Sequence, residues 1–238
     1  MKKAIIIGAT SGIGQEVARI LVQQGWRIGI AGRREDVLLH MQQAVPGQIE
    51  IQCLDVTKND AALRLNELID RLGGNGLVFT SSGWAPERVR TEIELNTART
   101  NVEVIRMVTA VFHPFQENRW RTYCVISSIA GTKGLGVAPA YSATKRFQNT
   151  YIDALAQLSR MQRLNIRFTD IRPGFVATDL LRNGKYPMLM RADKVALCIV
   201  RSLERKKRTV IIDRRYRLLV FFWRMIPRWL WERLPIKN

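Results

Sequence analysis

The stretch KAIIIGATSGIG, residues 3–14, decides the fold. Its apolar run at 4–7 is typical of a strand that is buried on both faces of a parallel sheet. Glycines follow at positions 8, 12 and 14, and an amphipathic helix is predicted over 13–24. A strand, a glycine-rich turn and a helix in this order predict the first unit of a sheet that binds phosphate groups at its edge.

The rest of the chain continues this alternation of strands and helices. Apolar runs predict further strands at 28–31, 49–54, 77–80, 122–127, 166–171 and 210–213. Helical patterns predict helices at 34–43, 61–72, 93–115 (ending near Pro114), 141–161 and 192–204. Such alternation implies right-handed crossovers and therefore an α/β fold, a Rossmann-type doubly wound parallel sheet. The 238 residues fit a single domain, 1–213, followed by a segment of different composition, 214–238.

Composition excludes several kinds of site. The two histidines leave little material for a histidine-based triad or metal centre. The three cysteines show no CxxC spacing, so neither a disulfide framework nor a metal site is predicted. The apolar run before Gly8 is far too short for a signal peptide, and a cytoplasmic location is expected.

Positive charge is concentrated near one end of the chain. Eleven basic and two acidic residues lie between Arg205 and Lys237, a net charge of +9 and half of the total of +18. A device for general solubility would spread the charge evenly. The concentration indicates a local anionic partner.

The glycine-rich turn predicts a pyrophosphate site. Glycines let the chain turn sharply and let its backbone approach the phosphates, and the helix that follows offers free N–H groups. The spacing is GxxxGxG. The residues expected to contact the cofactor here are Gly8, Thr10, Ser11, Gly12, Ile13 and Gly14.

The end of the second predicted strand indicates which dinucleotide binds. An NAD-selective site places an acidic residue there to accept the ribose 2′-hydroxyl. This chain has Arg33 and Arg34 instead, and guanidiniums suit a 2′-phosphate. NADP(H) is therefore the predicted cofactor; the alternative is that the two arginines are a solvated pair in a loop.

Tyr141 and Lys145 are candidates for proton transfer. Four residues apart on a helix, they share one face with about 6 Å between their Cβ atoms. A phenol has an ordinary pKa of about 10, and an adjacent ammonium is expected to lower the pKa of Tyr141 toward neutral pH. Ser127 and Ser128 end the fifth predicted strand, at the edge where open α/β sheets present their sites.

Four segments together resemble the short-chain dehydrogenase/reductase family. They are the turn at 8–14, ISSIAG at 126–131, YSATK at 141–145 and RPGFVAT at 172–178. Their order and spacing cover roughly residues 3–205. The resemblance implies an oxidoreductase that moves a hydride between a nicotinamide and a carbonyl or secondary alcohol, and a homodimer or homotetramer is the expected assembly.

The resemblance also implies roles for individual residues. Tyr141 is the general acid/base, and Lys145 holds the nicotinamide ribose and tunes Tyr141. Ser128 orients the substrate oxygen. Asn101 matches the helix asparagine of the proton relay, with Asn96 as the alternative if the helix register differs. The further cofactor contacts implied are Asp55, Val56, Ser82, Gly83, Pro173, Gly174, Val176 and Thr178.

One segment departs from the family pattern. The fourth strand is followed in the family by Asn-Asn-Ala-Gly, whereas residues 80–83 are TSSG here, so the asparagine contacts are lost. This departure is the best support for a rival hypothesis, a non-catalytic NADP(H)-binding sensor or scaffold with the same fold. Epimerase or dehydratase chemistry would need a larger substrate arm than the chain provides.

Two apolar segments suggest partners. The insertion at 174–191, called the lid loop below, is rich in large apolar residues and favours a hydrophobic or lipid-like substrate; the alternative is that these residues pack the loop onto the domain. The C-terminal segment mixes tryptophan with arginine and is too interrupted to span a bilayer, which needs about 20 apolar residues. This mixture favours peripheral attachment to the anionic surface on the inner face of a membrane. A subunit interface is the first alternative, and nucleic acid is the least favoured partner.

Overall fold

A computed structural model describes residues 2–73, 76–81, 90–116, 121–179, 181 and 186–236. Within these ranges nine strands form: β1 (Lys3–Ile7), β2 (Arg27–Gly32), β3 (Ile49–Cys53), β4 (Leu77–Thr80), β5 (Arg121–Ile126), β6 (Ile166–Arg172), β7 (Val176–Ala177), β8 (Met190–Arg191) and β9 (Thr209–Ile211). The α-helices of the same ranges are α1 (Gly12–Gln23), α2 (Glu35–Ala44), α3 (Ala61–Leu72), α4 (Thr91–Val102), α5 (Val104–Gln116), α6 (Pro139–Met161), α7 (Ala192–Glu204), α8 (Arg214–Met225) and α9 (Arg228–Trp231). A 3₁₀ turn spans Ile129–Thr132.

Seven of the described strands form one parallel sheet in the order β3-β2-β1-β4-β5-β6-β9. From β1 the chain builds outward to β3 and then crosses back to β4 on the other side. The carboxyl ends of β1 and β4 therefore border a topological switch point, where open α/β sheets bind ligands. The predicted doubly wound Rossmann-type sheet in a single domain is confirmed.

Helices cover both faces of this sheet. Ile6 packs into a core shared with α1, α7 and α8, whereas its neighbours Ile5 and Ile7 pack into a second core with α3, α5 and α6. Successive side chains of a strand point to opposite faces. The uninterrupted apolar run at 4–7 is thus explained by burial on both sides.

The long helix predicted over 93–115 is wrong in one respect, because two helices stand in its place. Glu103 separates α4 from α5, and α5 extends to Gln116, past Pro114. Neither proline nor glycine stands at the break. Helix α4 packs chiefly against α6, whereas α5 packs against α3. These contacts give the two helices different axis directions, which the apolar periodicity of the segment does not reveal.

The C-terminal segment folds back onto the domain. Tyr216, Val220 and Trp231 are buried, and the Trp231 indole donates to the carbonyl of Gly134 over 2.7 Å. The segment is thus an integral part of the folded domain. No helix of the described ranges has both the length and the apolar character needed to cross a membrane.

Candidate active site

The glycine turn after β1 brings α1 close to the strand. A Cβ atom on Gly14 would lie 2.2 Å from the carbonyl oxygen of Gly8, and Gly12 has a φ of +54°. At Gly12 an added Cβ would also lie 2.9 Å from Cγ2 of Thr178. Only glycine leaves room at these points. The turn therefore forms a tight cradle in which Thr178, predicted to contact the cofactor, borders the glycines.

The amino end of α1 suits the phosphates that this cradle is predicted to hold. Ser11 has an extended backbone at the N-cap, and within the described residues its side chain caps no N–H of the helix. The first turn of α1 carries no acidic residue. No side chain of the first turn of α1 therefore neutralises the positive charge at the amino end of the helix, and this favours an anionic ligand.

Arg33 and Arg34 lie exposed where β2 ends. The Arg34 guanidinium donates to the carbonyl of Thr10 over 2.6 Å and lies 3.9 Å from Asp179. Arg34 therefore braces the glycine turn. Arg33 has no such contact with the turn among the described residues and presents its charge to solvent beside it.

Asp55 and Val56 follow the carboxyl end of β3. Burial raises the pKa of Asp55, but hydrogen bonds from Thr57 and the charge of Arg33 outweigh burial and lower it below its ordinary value. The Thr57 backbone and hydroxyl donate to the same carboxylate oxygen over 3.0 and 2.8 Å, and Val56 is buried. Asp55 is thus an ionised, fixed carboxylate at the edge where the adenine end of a dinucleotide is expected.

Ser128, Tyr141 and Lys145 meet at the carboxyl edge of β5. The Ser128 hydroxyl accepts from the backbone of Ala130 over 3.1 Å, and it is near enough to Tyr141 to lower the pKa of that phenol. The Lys145 ammonium lies 5.6 Å from the centre of the Tyr141 ring and donates to the carbonyl of Ile126 over 3.2 Å. The structure thus brings together the three side chains that the sequence predicts for proton transfer.

The expected lowering of the Tyr141 pKa is wrong for the chain by itself. Burial raises the pKa of Tyr141, and the Ser128 hydroxyl offsets this only in part. Lys145 is itself buried, which lowers its pKa to about 8 although the charge of Asp170 acts in the opposite direction. Desolvation opposes the charged forms of both groups, and sequence spacing alone does not reveal this.

A buried amide that the sequence analysis missed joins this group. Lys145 donates to the Gln148 side-chain oxygen over 3.0 Å, and the Gln148 amide donates to the backbone carbonyl of Asn101 over 2.7 Å. The Asn101 side chain donates to Thr144 over 3.0 Å. Asn96, the alternative relay residue, is exposed on α4, whereas Asn101 is buried and is joined to the lysine through Gln148. The spacing of three residues between Lys145 and Gln148 could have indicated the contact.

A buried acid lies beneath the site and was also missed. Asp170 on β6 is fully buried and forms an ion pair with Arg172, whose Nε and Nη2 lie 2.8 and 2.7 Å from one carboxylate oxygen. The Ser127 hydroxyl donates to the other oxygen. Ser127 therefore anchors the end of β5 to β6, while its neighbour Ser128 faces Tyr141. An acidic residue inside a predicted strand was the available signal.

The segment after β6 closes the site. The carbonyl of Pro173 accepts from the Ser128 hydroxyl over 3.4 Å. At Gly174 an added Cβ would lie 2.2 Å from Cζ of Tyr216, so this glycine lets the tyrosine ring of α8 pack against the backbone. The Tyr216 hydroxyl donates to the carbonyl of Pro187 over 3.0 Å. The C-terminal helix therefore contacts both arms of the lid loop.

The described part of the lid loop is held by its own contacts. Val176 pairs with Met190 in the small sheet of β7 and β8, and both are buried. The rings of Phe175 and Tyr186 lie 5.0 Å apart. Of the predicted site residues, Ser82 and Gly83 lie outside the described residues, as do positions 180 and 182–185 of this loop.

Comparison with known proteins shows the family to which the chain is related. A family model described as short chain dehydrogenase matches residues 2–186. An uncharacterized oxidoreductase of Myxococcus xanthus is 34% identical over 203 residues, which cover 79% of this chain and 77% of that protein.

Solved structures show the same fold. A short chain dehydrogenase/reductase from Burkholderia phymatum, in complex with NAD, has a TM-score of 0.83 at 18% identity and covers 100% of this chain and 97% of its own. An alcohol dehydrogenase from the archaeon Thermococcus sibiricus, complexed with 5-hydroxy-NADP, has a TM-score of 0.76 at 22% identity over 89% of this chain and 96% of its own. With the family model matched along most of its length, this chain belongs to the short-chain dehydrogenase family of oxidoreductases.

Proposed function

We propose that this protein is an NADP(H)-dependent reductase that interconverts a carbonyl and a secondary alcohol on a hydrophobic substrate. One observation carries the proposal. The Ser128 hydroxyl acts on the Tyr141 phenol, and the Lys145 ammonium lies 5.6 Å from the centre of the Tyr141 ring, at the sheet edge that borders the glycine cradle. Two hydroxyls that can donate to one oxygen are what a carbonyl requires as it gains negative charge.

The residues of the cradle fit a nicotinamide dinucleotide. Gly14 and Gly12 leave space that a Cβ atom would fill, and α1 presents an uncapped amino end. When bound, the nicotinamide supplies or accepts the hydride. Arg33 and Arg34 would hold a 2′-phosphate, and Thr178 borders the cradle on the side of the lid loop. Reduction is the direction that NADPH supports.

The protein's own groups handle the proton. Tyr141 donates it to the substrate oxygen, while Ser128 orients that oxygen. Lys145 supports the tyrosine and offers a donor to the nicotinamide ribose. Asn101 lies behind the lysine and completes the route by which the proton is resupplied.

Arg33 provides the test of cofactor choice. The neighbours include one protein with an NADP derivative and one with NAD, so the fold accommodates both. We expect Arg33→Ser to weaken NADPH binding by about 10- to 100-fold, since hydrogen bonds to charged groups contribute about 1.5–3 kcal/mol, and to leave NADH binding nearly unchanged. Nicotinamide fluorescence titration measures both affinities.

The control for this substitution is Arg27→Ser. Arg27 lies at the opposite end of β2 and pairs with Glu50 over 2.8 Å, away from the cradle. We expect this variant to bind NADPH as the unmodified protein does. Equal weakening of NADH and NADPH by Arg33→Ser would contradict selection by a 2′-phosphate.

The substrate class rests on the lid loop. Leu189 is 47% exposed there, and the rings of Phe175 and Tyr186 add apolar surface. We expect NADPH consumption to rise with the chain length of the ketone in a panel that includes long-chain and lipid-linked carbonyls. A preference for small polar carbonyls would overturn the hydrophobic substrate while leaving the reductase activity intact.

A further inference from the structure

Helix α8 has two apolar faces. Its inner face is buried through Tyr216 and Val220, one turn apart. The outer face carries apolar residues at i, i+3, i+4 and i+7, the spacing of a single stripe. These are Leu218, Phe221, Phe222 and Met225, which are 59, 57, 53 and 64% exposed.

The residues that follow α8 add further exposed apolar side chains. Trp229 and Leu230 of α9 are 61 and 37% exposed, and Leu234 is 39% exposed. The outer tail surface is defined here as these three residues together with Leu218, Phe221, Phe222 and Met225. Large side chains exposed in such a cluster mark an interaction site on a globular protein.

Arginines border the outer tail surface. At 100° per residue, Arg217 and Arg224 project beside the stripe of α8, and neither forms an ion pair with an acidic side chain of the described residues. The Arg233 guanidinium lies 5.6 Å from the centre of the Trp229 ring. Apolar rings in the middle and cations at the border are thus combined on one surface.

Two kinds of partner suit an exposed apolar surface, a second copy of the chain and a lipid bilayer. A two-fold contact through this surface would place the arginines of both copies near one another, which is unfavourable. An anionic bilayer suits both the apolar side chains and the arginines, because the rings enter the headgroup region and the guanidiniums bind phosphates. We propose that the outer tail surface binds an anionic membrane in the plane of its interface.

The test uses the full-length protein and vesicles. We expect co-sedimentation with vesicles of phosphatidylcholine and phosphatidylglycerol, at least about 10-fold weaker with phosphatidylcholine alone, since each basic residue near an anionic surface contributes about 1 kcal/mol. Binding should also weaken as NaCl is raised from 0.1 to 0.5 M. The double variant Phe221→Ser/Phe222→Ser should bind at least about 10-fold more weakly, because two rings lose their burial.

The control variant is Leu63→Ser/Met161→Ser. Both residues are exposed apolar side chains outside the tail, on α3 and α6, with 63 and 73% exposure, and we expect vesicle binding to be retained. Absence of binding to anionic vesicles would overturn the proposal. A dimer that Phe221→Ser/Phe222→Ser dissociates, without vesicle binding by the unmodified protein, would assign the surface to a second copy.

A separate observation concerns Gln148, which lies between the catalytic lysine and α4. Gln148, Lys145 and Asn101 are 1, 3 and 0% exposed. Both ends of the Gln148 carboxamide are used, one by the lysine and one by the backbone carbonyl of Asn101. Asn101 lies in the last turn of α4, where carbonyl groups have no partner within the helix. The break between α4 and α5 thus provides the acceptor.

Gln148 also occupies one of the hydrogen-bond donors of the Lys145 ammonium. The ammonium has three N–H donors, of which Ile126 and Gln148 take two within the described residues. One donor is left for a cofactor hydroxyl. We infer that Gln148 is a positioning residue that fixes the Lys145 ammonium and links it to Asn101; the inference rests on the proposed function.

The first test is kinetic. Gln148→Leu should lower kcat by about 10- to 100-fold with little change in the KM of the carbonyl substrate, because a hydrogen bond to a charged group is lost. Gln148→Glu keeps the acceptor for Lys145 but loses the donor to the Asn101 carbonyl, so it should recover the activity only in part. The control Gln52→Leu removes a buried amide that accepts from Arg71 on the far side of the sheet, and it should leave kcat unchanged. An unchanged kcat in Gln148→Leu would overturn the inference.

The second test needs neither cofactor nor substrate. Lys145 has a pKa of about 8 when folded and 10.5 in its ordinary state, so the unfolded chain binds more protons between these values and this group's contribution to stability rises with pH there. The ionisable groups that act on it are Tyr141 and Asp170. In Gln148→Leu the rise should begin at a lower pH, as followed by urea unfolding. The same onset in both proteins would overturn the inference even if reductase activity fails to appear.

Discussion

Replacing Tyr141 with phenylalanine is expected to lower kcat/KM by about 10²- to 10⁴-fold, the range that general acid catalysis contributes. The substitution removes one hydroxyl and keeps the ring that packs near Lys145. Without that hydroxyl, Ser128 can still orient the substrate oxygen, but no group remains to donate the proton that is resupplied through the lysine. NADPH binding and folding should persist, as fluorescence titration and thermal unfolding would show.

Tyr151→Phe is the matched control. Tyr151 lies on the same helix, α6, and stacks on Phe147 with 5.7 Å between ring centres, away from Ser128. This variant should turn over as the unmodified protein does. Full turnover by Tyr141→Phe would refute Tyr141 as the proton donor. If that variant also kept its biological role while binding NADPH, the sensor or scaffold hypothesis would be favoured.

Replacing Asp170 with alanine is expected to lower the free energy of unfolding by about 3–5 kcal/mol. The change leaves the Arg172 guanidinium, 7% exposed, without its carboxylate, and it takes away one of the two acceptors of the Ser127 hydroxyl, the other being the carbonyl of Ile171. A buried charge without a partner is costly because neither water nor an opposite charge compensates it. Urea unfolding monitored by circular dichroism gives the value.

Two comparisons separate this effect from a general loss of charge. Asp170→Asn keeps an acceptor for Arg172 and should cost less than alanine. Glu16→Ala removes a surface ion pair, Glu16 with Arg19, and should change stability by less than about 1 kcal/mol. A loss in Asp170→Ala no greater than in Glu16→Ala would show that the ion pair beneath the site does not stabilise the fold.

The sequence predicted those features whose cause is local. A short stretch such as 3–14 predicts a strand buried on both faces, a turn that only glycine accommodates, and a helix that begins beside them. The spacing between Tyr141 and Lys145 fixes their common helical face in the same way. The sheet and the candidate catalytic group could therefore be predicted before any contact was known.

Features that join distant segments could not be predicted in this way. Asp170 meets Ser127 from a position 43 residues away, and Gln148 meets the carbonyl of Asn101 across 47. The break at Glu103 depends on which helices α4 and α5 contact. The pKa of Tyr141 depends on burial, which spacing does not reveal. Each of these properties belongs to the packed sheet and its helices as a whole.

The contact between Gly174 and Tyr216 joins the C-terminal helix α8 to the lid loop. The ring fills the space over a glycine directly after β6, and its hydroxyl accepts from Phe175 and donates to Pro187. Helix α8 therefore packs against both described arms of the lid loop through Tyr216. We expect a partner that binds the outer face of α8 to act on the position of the lid loop through this ring.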